Sequence, residues 1–550
     1  MNEYDAIVVG SGAAGGWAAK ELAEAGLSVL VLEAGPHPSL RRYKAKSSVG
    51  SWARRFGRHF TGRQPIQELH PGYWFNDPGL FVDDRKDAYE TDEARRFNWI
   101  RGNQVGGRSL LWGGLSLRLS DLELGGAGGA WRGWPLTHAD LDPWYAKVER
   151  FLEMEGGQEG LSQLPDGVFS GPSPFTLAEA RLGETLNQTL PGRHVIHGRG
   201  IDERKTLFGS GWSKLSSVGT TLHVALATGR VTLQSDAIVS HLIPGEGTVP
   251  TGDGRGGQPR AGGVAFVDRG DSSWHEARAK LVVLCASTVS SVRILLSTAR
   301  RHPELTPASD ALGRYLMDHV TTGTMVELPP CATEGHPALT APGSILIPRW
   351  VNLDTGPRAP FAGGFGLWGA IQRAPFSLLA ERSPARGFLI GHGEMEPVAE
   401  NRITLTETSD RFGIDGLRIE AAHSDNDHAL RQAMREATAE VVEAAGGRTV
   451  NLLKTWDFPG PWRWFARLET FWKDPPPGSY VHEVGGARMG DDPETSIVSP
   501  TNQCWHMPNV LVTDGAAWPT AAWQGPTHTI MAVTARACAH AVQALRDGSI

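Results

Sequence analysis

Three glycines close to the N-terminus, Gly10, Gly12 and Gly15, have the GxGxxG spacing of a turn that receives a phosphate group. The first permits a tight turn, the second lets the backbone approach a pyrophosphate, and the third lets a helix pack closely on a strand. The N-terminus of that helix favours the phosphate charge. Glu33 follows where a carboxylate accepts hydrogen bonds from both ribose hydroxyls, which disfavours the 2′-phosphate of NADP. The spacing therefore predicts a dinucleotide site.

The glycine turn alone does not separate FAD from NAD, but later segments do. A second glycine cluster at 105–114 suits the wall of an extended cofactor, although an ordinary β-bulge segment is the alternative. A strand at 509–513 ends in Asp514 and Gly515, where a carboxylate can bind ribityl hydroxyls. Pro526 then begins a helix whose N-terminus stabilises the negative charge of a reduced flavin, so FAD is favoured. The residues expected to bind the cofactor are Gly10, Gly12, Ala13, Ala14, Gly15, Glu33, Gly106, Gly107, Ser109, Leu110, Trp112, Ala237, Asp514, Gly515, Gly525, Pro526 and Thr527.

The elements that position these residues have the pattern of a parallel sheet flanked by helices. Apolar runs at 5–9 and 28–32 surround a helix at 17–25, and only strands buried on both faces are so uniformly apolar. Another buried strand at 281–284 precedes a helix. The glycine-rich pattern of strand and then helix returns after Ser479, which indicates that the nucleotide domain is completed near the C-terminus.

The domain organisation follows from this return of the pattern. The FAD-binding domain is predicted to be discontinuous and to comprise residues 1–40, 95–325 and 479–550. The polar, arginine-rich stretch 41–94 has no clear period and is predicted to form lid or interface loops. Residues 326–478 form the candidate substrate domain.

Composition excludes several other classes of protein. The 550 residues are 40% hydrophobic and 21% charged, which suffices for a large core, and a net charge of −7 argues against a nucleic-acid-binding protein. The four cysteines contain no CxxC pair, so neither a cysteine-based metal site nor any other bound metal is expected. We expect a cytoplasmic protein without a membrane span, because the chain has neither a long apolar stretch nor the layout of a signal peptide.

Five segments resemble, in the same order, the glucose–methanol–choline (GMC) oxidoreductases. They are residues 5–35, 105–114, 311–319, 482–490 and 509–520. The resemblance implies an α/β fold with a doubly wound, Rossmann-like FAD-binding domain, and a second α+β domain with an antiparallel sheet over the flavin. It also implies oxidation of alcohols by hydride transfer to flavin N5. The GGARMG sequence after His482 is similar to the sugar-oxidising branch, which includes pyranose oxidases and fructose, gluconate and glycoside 3-dehydrogenases.

The family carries its catalytic base at the position of His482. A neutral imidazole suits removal of a hydroxyl proton while a hydride leaves the carbon, so we expect catalysis here rather than a structural core histidine. The family has a second catalytic His or Asn just before its final helix, where this chain has Gly525. One hypothesis is that His528, nearly one helical turn on, replaces that residue; otherwise it fills a buried slot that leucine holds in relatives. Gln524 and a water molecule are further candidates.

Two other departures concern histidines. Some pyranose oxidases bond FAD covalently through a histidine in an STHW segment, and this chain has Leu111 at that position. The resemblance therefore predicts FAD that is bound non-covalently. His319, His423, His428 and His506 have no acidic or histidine partners at metal-ligand spacing, and we interpret them as structural.

The substrate is expected to be a sugar or glycoside whose hydroxyl is oxidised to a carbonyl. Flat aromatic side chains stack on pyranose rings, although core packing is the alternative for each of them. The tryptophans in question are Trp350, Trp368, Trp456, Trp462, Trp464 and Trp472. Electrons are expected to pass to a quinone-like acceptor or to oxygen. The alternatives are a GMC enzyme for a non-sugar alcohol, and a redox-inactive flavoprotein that acts as a lyase or a binding protein. The oligomeric state stays open.

Overall fold

The computed structural model describes residues 4–46, 48–206, 209–250, 257–332, 337–353, 358–374, 384–450 and 474–550. Strands occupy Tyr4–Val9, Val29–Leu32, Ile196–His197, Val231–Gln234, Ala237–Pro250, Gly257–Asp268, Trp274–Leu284, His319–Leu328, Ile345–Ile347, Phe365–Ile371, Ala385–Glu394, Arg402–Ser409, Asp415–Glu420, Arg448–Val450, Gln503–Cys504 and Met507–Val512. Helices occupy Ala13–Glu24, Leu40–Lys44, Val49–Phe60, Pro71–Phe75, Asp121–Leu124, Gly126–Gly129, His138–Leu152, Leu177–Thr189, Thr221–Ala227, Thr288–Arg301, Asp425–Ala444 and Pro526–Asp547. Short 3-10 turns occupy Gln67–Leu69, Pro78–Leu80, Gly107–Leu110, Ser217–Gly219, Pro303–Leu305 and Gly515–Ala517.

A parallel sheet forms the centre of the predicted nucleotide domain. Tyr4–Val9 pairs in parallel with Val29–Leu32 on one side and with Trp274–Leu284 on the other, and the latter also pairs with Met507–Val512. Val231–Gln234 extends the sheet beyond Val29–Leu32. A strand from the last fifty residues thus lies beside a strand from the middle of the chain, in the same sheet as the first strand, as a discontinuous domain requires.

Both faces of this sheet are covered, which explains its uniformly apolar strands. Successive side chains of a strand point to opposite faces. Ala6 and Val8 pack with the helices Ala13–Glu24 and Pro526–Asp547. Ile7 and Val9 belong to the larger core on the other face. The burial of both faces of the sheet therefore explains the uniformly apolar runs from which the α/β class was predicted.

A second, wholly antiparallel sheet lies in the predicted substrate domain. Its strand order is Arg448–Val450, His319–Leu328, Ala385–Glu394, Phe365–Ile371, Ile345–Ile347 and Ile196–His197. The helix Asp425–Ala444 packs against it. Two of its strands begin before the expected boundary at residue 326, so the sheet draws on more of the chain than its sequence pattern indicated. The rest of the domain division stays a prediction.

The stretch 41–94 was expected to form loops, and the structure corrects this. It contains the helices Val49–Phe60 and Pro71–Phe75, and Leu40–Lys44 precedes them. Ser48 caps the first of these by accepting a hydrogen bond from the Ser51 amide. Val49, Ala53 and Phe60 of this helix face outward rather than toward a core, so the sequence shows no core-facing period. Every helix in the described ranges is too short or too polar to cross a bilayer.

Candidate active site

One large cavity, of about 1310 Å³, connects the first glycine turn with His482. Expected cofactor residues that line it are Gly10, Gly12, Ala13, Ala14, Glu33, Gly107, Ser109, Leu110, Trp112, Ala237, Asp514, Gly515, Gly525, Pro526 and Thr527. Gly15 and Gly106 lie behind this lining. A Cβ at Gly15 would come within 1.9 Å of the Gly10 carbonyl oxygen, so this glycine serves helix packing. Segments far apart in sequence thus enclose a single space.

The glycine turn leaves its inner side clear of side chains. Gly10 has a φ of +97°, and a Cβ there would lie 2.4 Å from the Cys285 carbonyl oxygen. At Gly12, by contrast, a Cβ would approach only the Gly106 carbonyl oxygen, at 3.9 Å, so this position opens into the cavity. The backbone is therefore exposed to a bound phosphate at the residue that the motif assigns to that contact.

Glu33 connects the ends of the strands Tyr4–Val9 and Val29–Leu32 with the two glycine segments. Its carboxylate accepts hydrogen bonds from the Ser11 hydroxyl at 2.6 Å and from the Gly35 amide at 2.9 Å. The Ser11 hydroxyl oxygen in turn accepts from the Gly106 amide at 2.9 Å. Burial raises the pKa of Glu33 above its ordinary value, while these hydrogen bonds oppose that effect. The carboxylate lies in the cavity wall, where it is placed to bind a ribose.

The other end of the cavity is built from Asp514 and the start of the last helix. Asp514 accepts hydrogen bonds from the Ser291 hydroxyl at 2.5 Å and the Ala516 amide at 3.0 Å, and burial raises its pKa to about 6. Within the described part of the chain no side chain caps the helix that begins at Pro526. Its first amides are therefore available to a ligand. A side-chain-free cradle, a carboxylate at each end and an uncapped helix N-terminus fit a flavin dinucleotide.

His482 is held in place through its backbone. The Asp318 carboxylate accepts hydrogen bonds from the His482 amide at 3.0 Å, from the Gly478 amide at 2.8 Å and from the Tyr480 amide at 3.1 Å. Val481, between Tyr480 and His482, has a φ of +68°, which is costly for a β-branched residue. Burial raises the pKa of Asp318 to about 6. The loop is therefore tightly determined around the histidine.

His319, which the sequence analysis interpreted as structural, contacts His482. The two Nδ1 atoms lie 2.9 Å apart, so one nitrogen donates a proton and the other accepts it. Burial lowers the pKa of His319 to about 4, although backbone groups at 522–524 oppose this. His482 is half-buried because it opens onto the cavity, yet loss of solvation, the neighbouring imidazoles of His319 and His392 and the Arg108 guanidinium lower its pKa well below the usual value. Both imidazoles are neutral at neutral pH.

Three further cavity-lining side chains form a polar group, of which the sequence analysis named only Trp368. Trp368 Nε1 donates to His392 Nε2 at 2.8 Å and lies 3.2 Å from the Tyr480 hydroxyl. The Tyr480 hydroxyl also hydrogen-bonds His392 Nε2. Burial lowers the pKa of His392 well below its usual value and raises that of Tyr480, so both are neutral. Tyr480 precedes His482 by two residues, and this spacing was the one available signal.

Gly525 lies directly beside His482. A Cβ at this glycine would lie 3.4 Å from His482 Cε1 and 3.8 Å from His482 Nε2, which is ordinary contact. Its φ of −60° is accessible to any residue. The backbone therefore does not require glycine here. The consequence of glycine is open space next to the imidazole.

The structure corrects the hypothesis that His528 replaces the missing side chain. His528 is 1% exposed and lies outside the cavity lining, with Nε2 3.6 Å from Glu149 Oε1 and its ring packed against Tyr145. Position 528 lies only about 60° around the helix from position 525, but the imidazole is directed at the helix His138–Leu152 and not into the cavity. Gln524 is also buried away from the cavity, and its amide donates to the Arg118 carbonyl. The alternative for His528, a buried slot, is the one that the geometry supports.

The remaining predicted residues are dispersed. Trp368 lines the cavity, whereas Trp350 packs on Phe365 outside its lining. Trp456, Trp462, Trp464 and Trp472 lie outside the described residues. His423 contacts Arg431, and His506 Nε2 bonds the Glu304 carbonyl, as structural histidines do. In the described ranges no group of three His, Cys, Asp or Glu side chains is arranged to hold a metal ion.

Comparisons with known proteins agree with this geometry. Residues 397–534 match the family described as GMC oxidoreductase, and residues 8–65 match the NAD(P)-binding Rossmann-like domain. The chain is 26% identical to 2-methyl-1,2-propanediol dehydrogenase from Mycolicibacterium austroafricanum, with 98% of this chain and 94% of that protein covered. It is 22% identical to the fructose dehydrogenase large subunit from Gluconobacter japonicus, with 99% and 98% covered. Pyridoxine 4-oxidase from Mesorbium loti has the same fold, with a TM-score of 0.59, 18% identity and coverage of 98% and 99%. The predicted fold class, family and enzyme class, an oxidoreductase acting on CH–OH groups with a flavin dinucleotide cofactor, are confirmed.

Proposed function

We propose that this GMC oxidoreductase oxidises a hydroxyl group of a sugar or glycoside to a carbonyl, with His482 as the base. FAD, when bound, supplies the hydride acceptor, so that the substrate loses a hydride from carbon and a proton from oxygen. The observation that carries the proposal is the neutral imidazole of His482 in the wall of the cavity that also contains the glycine cradle. The electron acceptor is proposed to be quinone-like or oxygen.

The two nitrogens of His482 have different surroundings, which assigns their roles. Nδ1 faces His319, whereas Nε2 faces the open space beside Gly525. For Nε2 to accept a substrate proton, Nδ1 must carry the ring proton and donate it to Nδ1 of His319. A neutral His319 can accept that hydrogen bond. His319 is therefore proposed as a positioning residue that fixes the reactive tautomer.

The substrate hydroxyls are proposed to meet the polar group of Trp368, His392 and Tyr480. These side chains line the same cavity as His482, and the ring centroids of Tyr480 and His482 are 4.9 Å apart. The phenol is neutral and can donate and accept hydrogen bonds. They would provide the polar contacts that a side chain at position 525 provides in the family. Several hydroxyl-binding groups beside an indole ring suit a polyhydroxylated ring better than a simple alcohol.

A second candidate substrate is a small non-sugar alcohol. It is favoured by the similarity to 2-methyl-1,2-propanediol dehydrogenase, which covers 98% of this chain. The similarity to the fructose dehydrogenase large subunit favours the sugar instead. The polar group at Tyr480 decides our preference for the sugar.

The flavin is proposed to be bound non-covalently. Leu111 lines the cavity at the position where some relatives attach it through histidine, and a hydrocarbon side chain cannot form that bond. Acid precipitation should leave the yellow flavin in the supernatant. Flavin absorbance that stays with the precipitated polypeptide would contradict the proposal.

The experiment that tests the substrate class is anaerobic reduction of the bound flavin. The holoenzyme is mixed with fructose, glucose, gluconate, alkyl glycosides, 1,2-diols and aryl alcohols, and loss of the oxidised flavin absorbance is followed. We expect a sugar or glycoside to reduce the flavin faster than any diol or aryl alcohol. Reduction by diols or aryl alcohols alone would favour the second candidate. Holoenzyme that no alcohol reduces would overturn the oxidation proposal.

A further inference from the structure

The helix Val49–Phe60 presents apolar side chains to the outside of the protein. Val49 is 87% exposed and Phe60 is 77% exposed, the highest values for large apolar side chains among the described residues. Ala53 is exposed as well, and Phe56 is half-buried. These four residues fall on one face of the helix, since 3.6 residues complete a turn. We call this row of four the outer stripe.

The opposite face of the same helix is polar and fixed inward. Arg55 is 0% exposed, and its guanidinium donates to the Asn76 carbonyl at 3.0 Å and to the Lys46 carbonyl at 2.7 Å. Arg54 forms an ion pair with Asp77. A rotation of the helix that buried the outer stripe would break these bonds. It would also leave buried polar groups without hydrogen-bond partners. The orientation is therefore a stable feature of the fold.

The chain around the outer stripe is strongly basic, although the protein as a whole has a net charge of −7. Between Glu33 and Glu68 there is no acidic residue. The basic residues of this interval are Arg41, Arg42, Lys44, Lys46, Arg54, Arg55, Arg58 and Arg63. Three of them, on the helix Leu40–Lys44, are exposed and form no salt bridge within the described ranges. We call Arg41, Arg42 and Lys44 the basic flank.

Residues adjoining this surface also line the cavity. Tyr43 and Lys46, which adjoin the basic flank, line the cavity. Phe75 lines it as well and is 54% exposed, so it belongs to both the cavity and the outer surface. The chain on both sides of the outer stripe therefore contributes to the cavity wall.

We propose that the outer stripe and the basic flank dock this protein on a lipid surface that contains anionic headgroups. An exposed apolar row with exposed basic residues close to it in the chain has the composition of a segment that lies in the membrane interface, with the apolar side chains in the acyl boundary and the cations at the headgroups. The proposal does not depend on the identity of the substrate.

A second copy of the chain is the competing occupant, and charge disfavours it. A two-fold interface brings the same patch of both copies together, so the basic flank of one copy would approach that of the other. No acidic residue of the interval 34–67 is available to compensate. Like charges placed together oppose such an interface, whereas anionic headgroups complement them.

The test is co-sedimentation of the full-length holoenzyme with lipid vesicles. We expect the protein to bind vesicles of phosphatidylcholine mixed with phosphatidylglycerol, to bind phosphatidylcholine alone poorly, and to be released by added salt. The double variant Val49→Asp, Phe60→Asp should lower binding by roughly tenfold or more, because it removes two apolar side chains from the acyl boundary. Replacing Arg41, Arg42 and Lys44 by Gln should abolish the preference for anionic lipid.

The control is the double variant Leu177→Asp, Leu226→Asp, which adds the same two charges at exposed apolar residues of two other helices. It should bind vesicles as the native protein does. Bound flavin absorbance and the thermal unfolding midpoint establish that each variant is folded. Failure of the native protein to bind anionic vesicles, or equal binding by the Val49→Asp, Phe60→Asp variant, would overturn the proposal. A dimer in solution that this variant dissociates would assign the surface to a second copy and would overturn it too.

Discussion

The Nδ1 atoms of His319 and His482 lie 2.9 Å apart, on a strand of the antiparallel sheet and on the loop that Asp318 holds. The contact joins the candidate base to a second, more deeply buried imidazole. Because Nδ1 of His482 is occupied in this way, its Nε2 atom is the nitrogen left for a substrate. The following expectations test that arrangement and the space around it.

Replacing His319 by Phe removes the acceptor for the Nδ1 proton of His482. We expect kcat to fall by roughly tenfold to a hundredfold, as for other groups that orient a catalytic imidazole, with KM changed little. His319→Asn keeps an acceptor and should recover part of the loss. Steady-state kinetics of both variants, with the pH profile of kcat/KM, provides the measurement. Equal values of kcat for the Phe and Asn variants would show that the contact does not orient His482.

Replacing Gly525 by Ala tests whether the open space beside His482 receives substrate. The backbone at this position suits any residue, but glycine is preferred to alanine at a helix N-cap, so the free energy of unfolding should change by less than about 1 kcal/mol. The added methyl would lie 3.4 Å from His482 Cε1, within the space assigned to the substrate. KM should therefore rise severalfold. A variant with unchanged KM, whatever its stability, would place the substrate elsewhere in the cavity.

Replacing His528 by Leu should leave substrate-driven flavin reduction within about threefold of the native rate. The imidazole lies outside the cavity lining, against Glu149 and Tyr145. Leucine has a similar volume, and volume-conserving changes in a core are tolerated best. Rapid mixing under anaerobic conditions provides the rate. A loss of a hundredfold would return His528 to the catalytic machinery.

The same variant tests the pH dependence of stability. Burial lowers the pKa of His528 to about 4, below the value near 6.5 of an unfolded chain. Its contribution to stability is complete above pH 6.5 and is lost as the pH falls through 6.5 toward 4, because the unfolded chain binds the proton first. Between about pH 7.5 and pH 5 the native protein should lose on the order of 2 kcal/mol more than His528→Leu does. Urea unfolding at both pH values measures this, and identical pH slopes would contradict the pKa shift.

The parallel sheet could be predicted from the sequence because the features that specify it lie within short segments of the chain. Strands buried on both faces are continuous apolar runs, and the turn between Gly10 and Gly15 needs glycine at fixed spacing. His482 and Gly525 were recognisable because each lies in a motif. Their contact in space was not.

The polar group around the base could not be predicted, because strand pairing and not spacing assembles it. His392 pairs with Thr321, two residues beyond His319, so the two histidines come from neighbouring strands with sequence positions far apart. Tyr480 joins them through the loop that Asp318 fixes. The hypothesis for His528 rested on helical spacing, whereas packing directs its side chain toward the helix His138–Leu152.

The rate of anaerobic flavin reduction in His482→Asn tests the central claim most directly. With the best substrate from the panel, we expect the rate to fall by about 10²–10⁴-fold, the usual contribution of a general base, while the flavin stays bound. The control is His506→Asn, at a histidine outside the cavity lining. The flavin of this variant should be reduced at the native rate. A His482→Asn enzyme that retains its flavin and is reduced within threefold of the native rate would contradict the account.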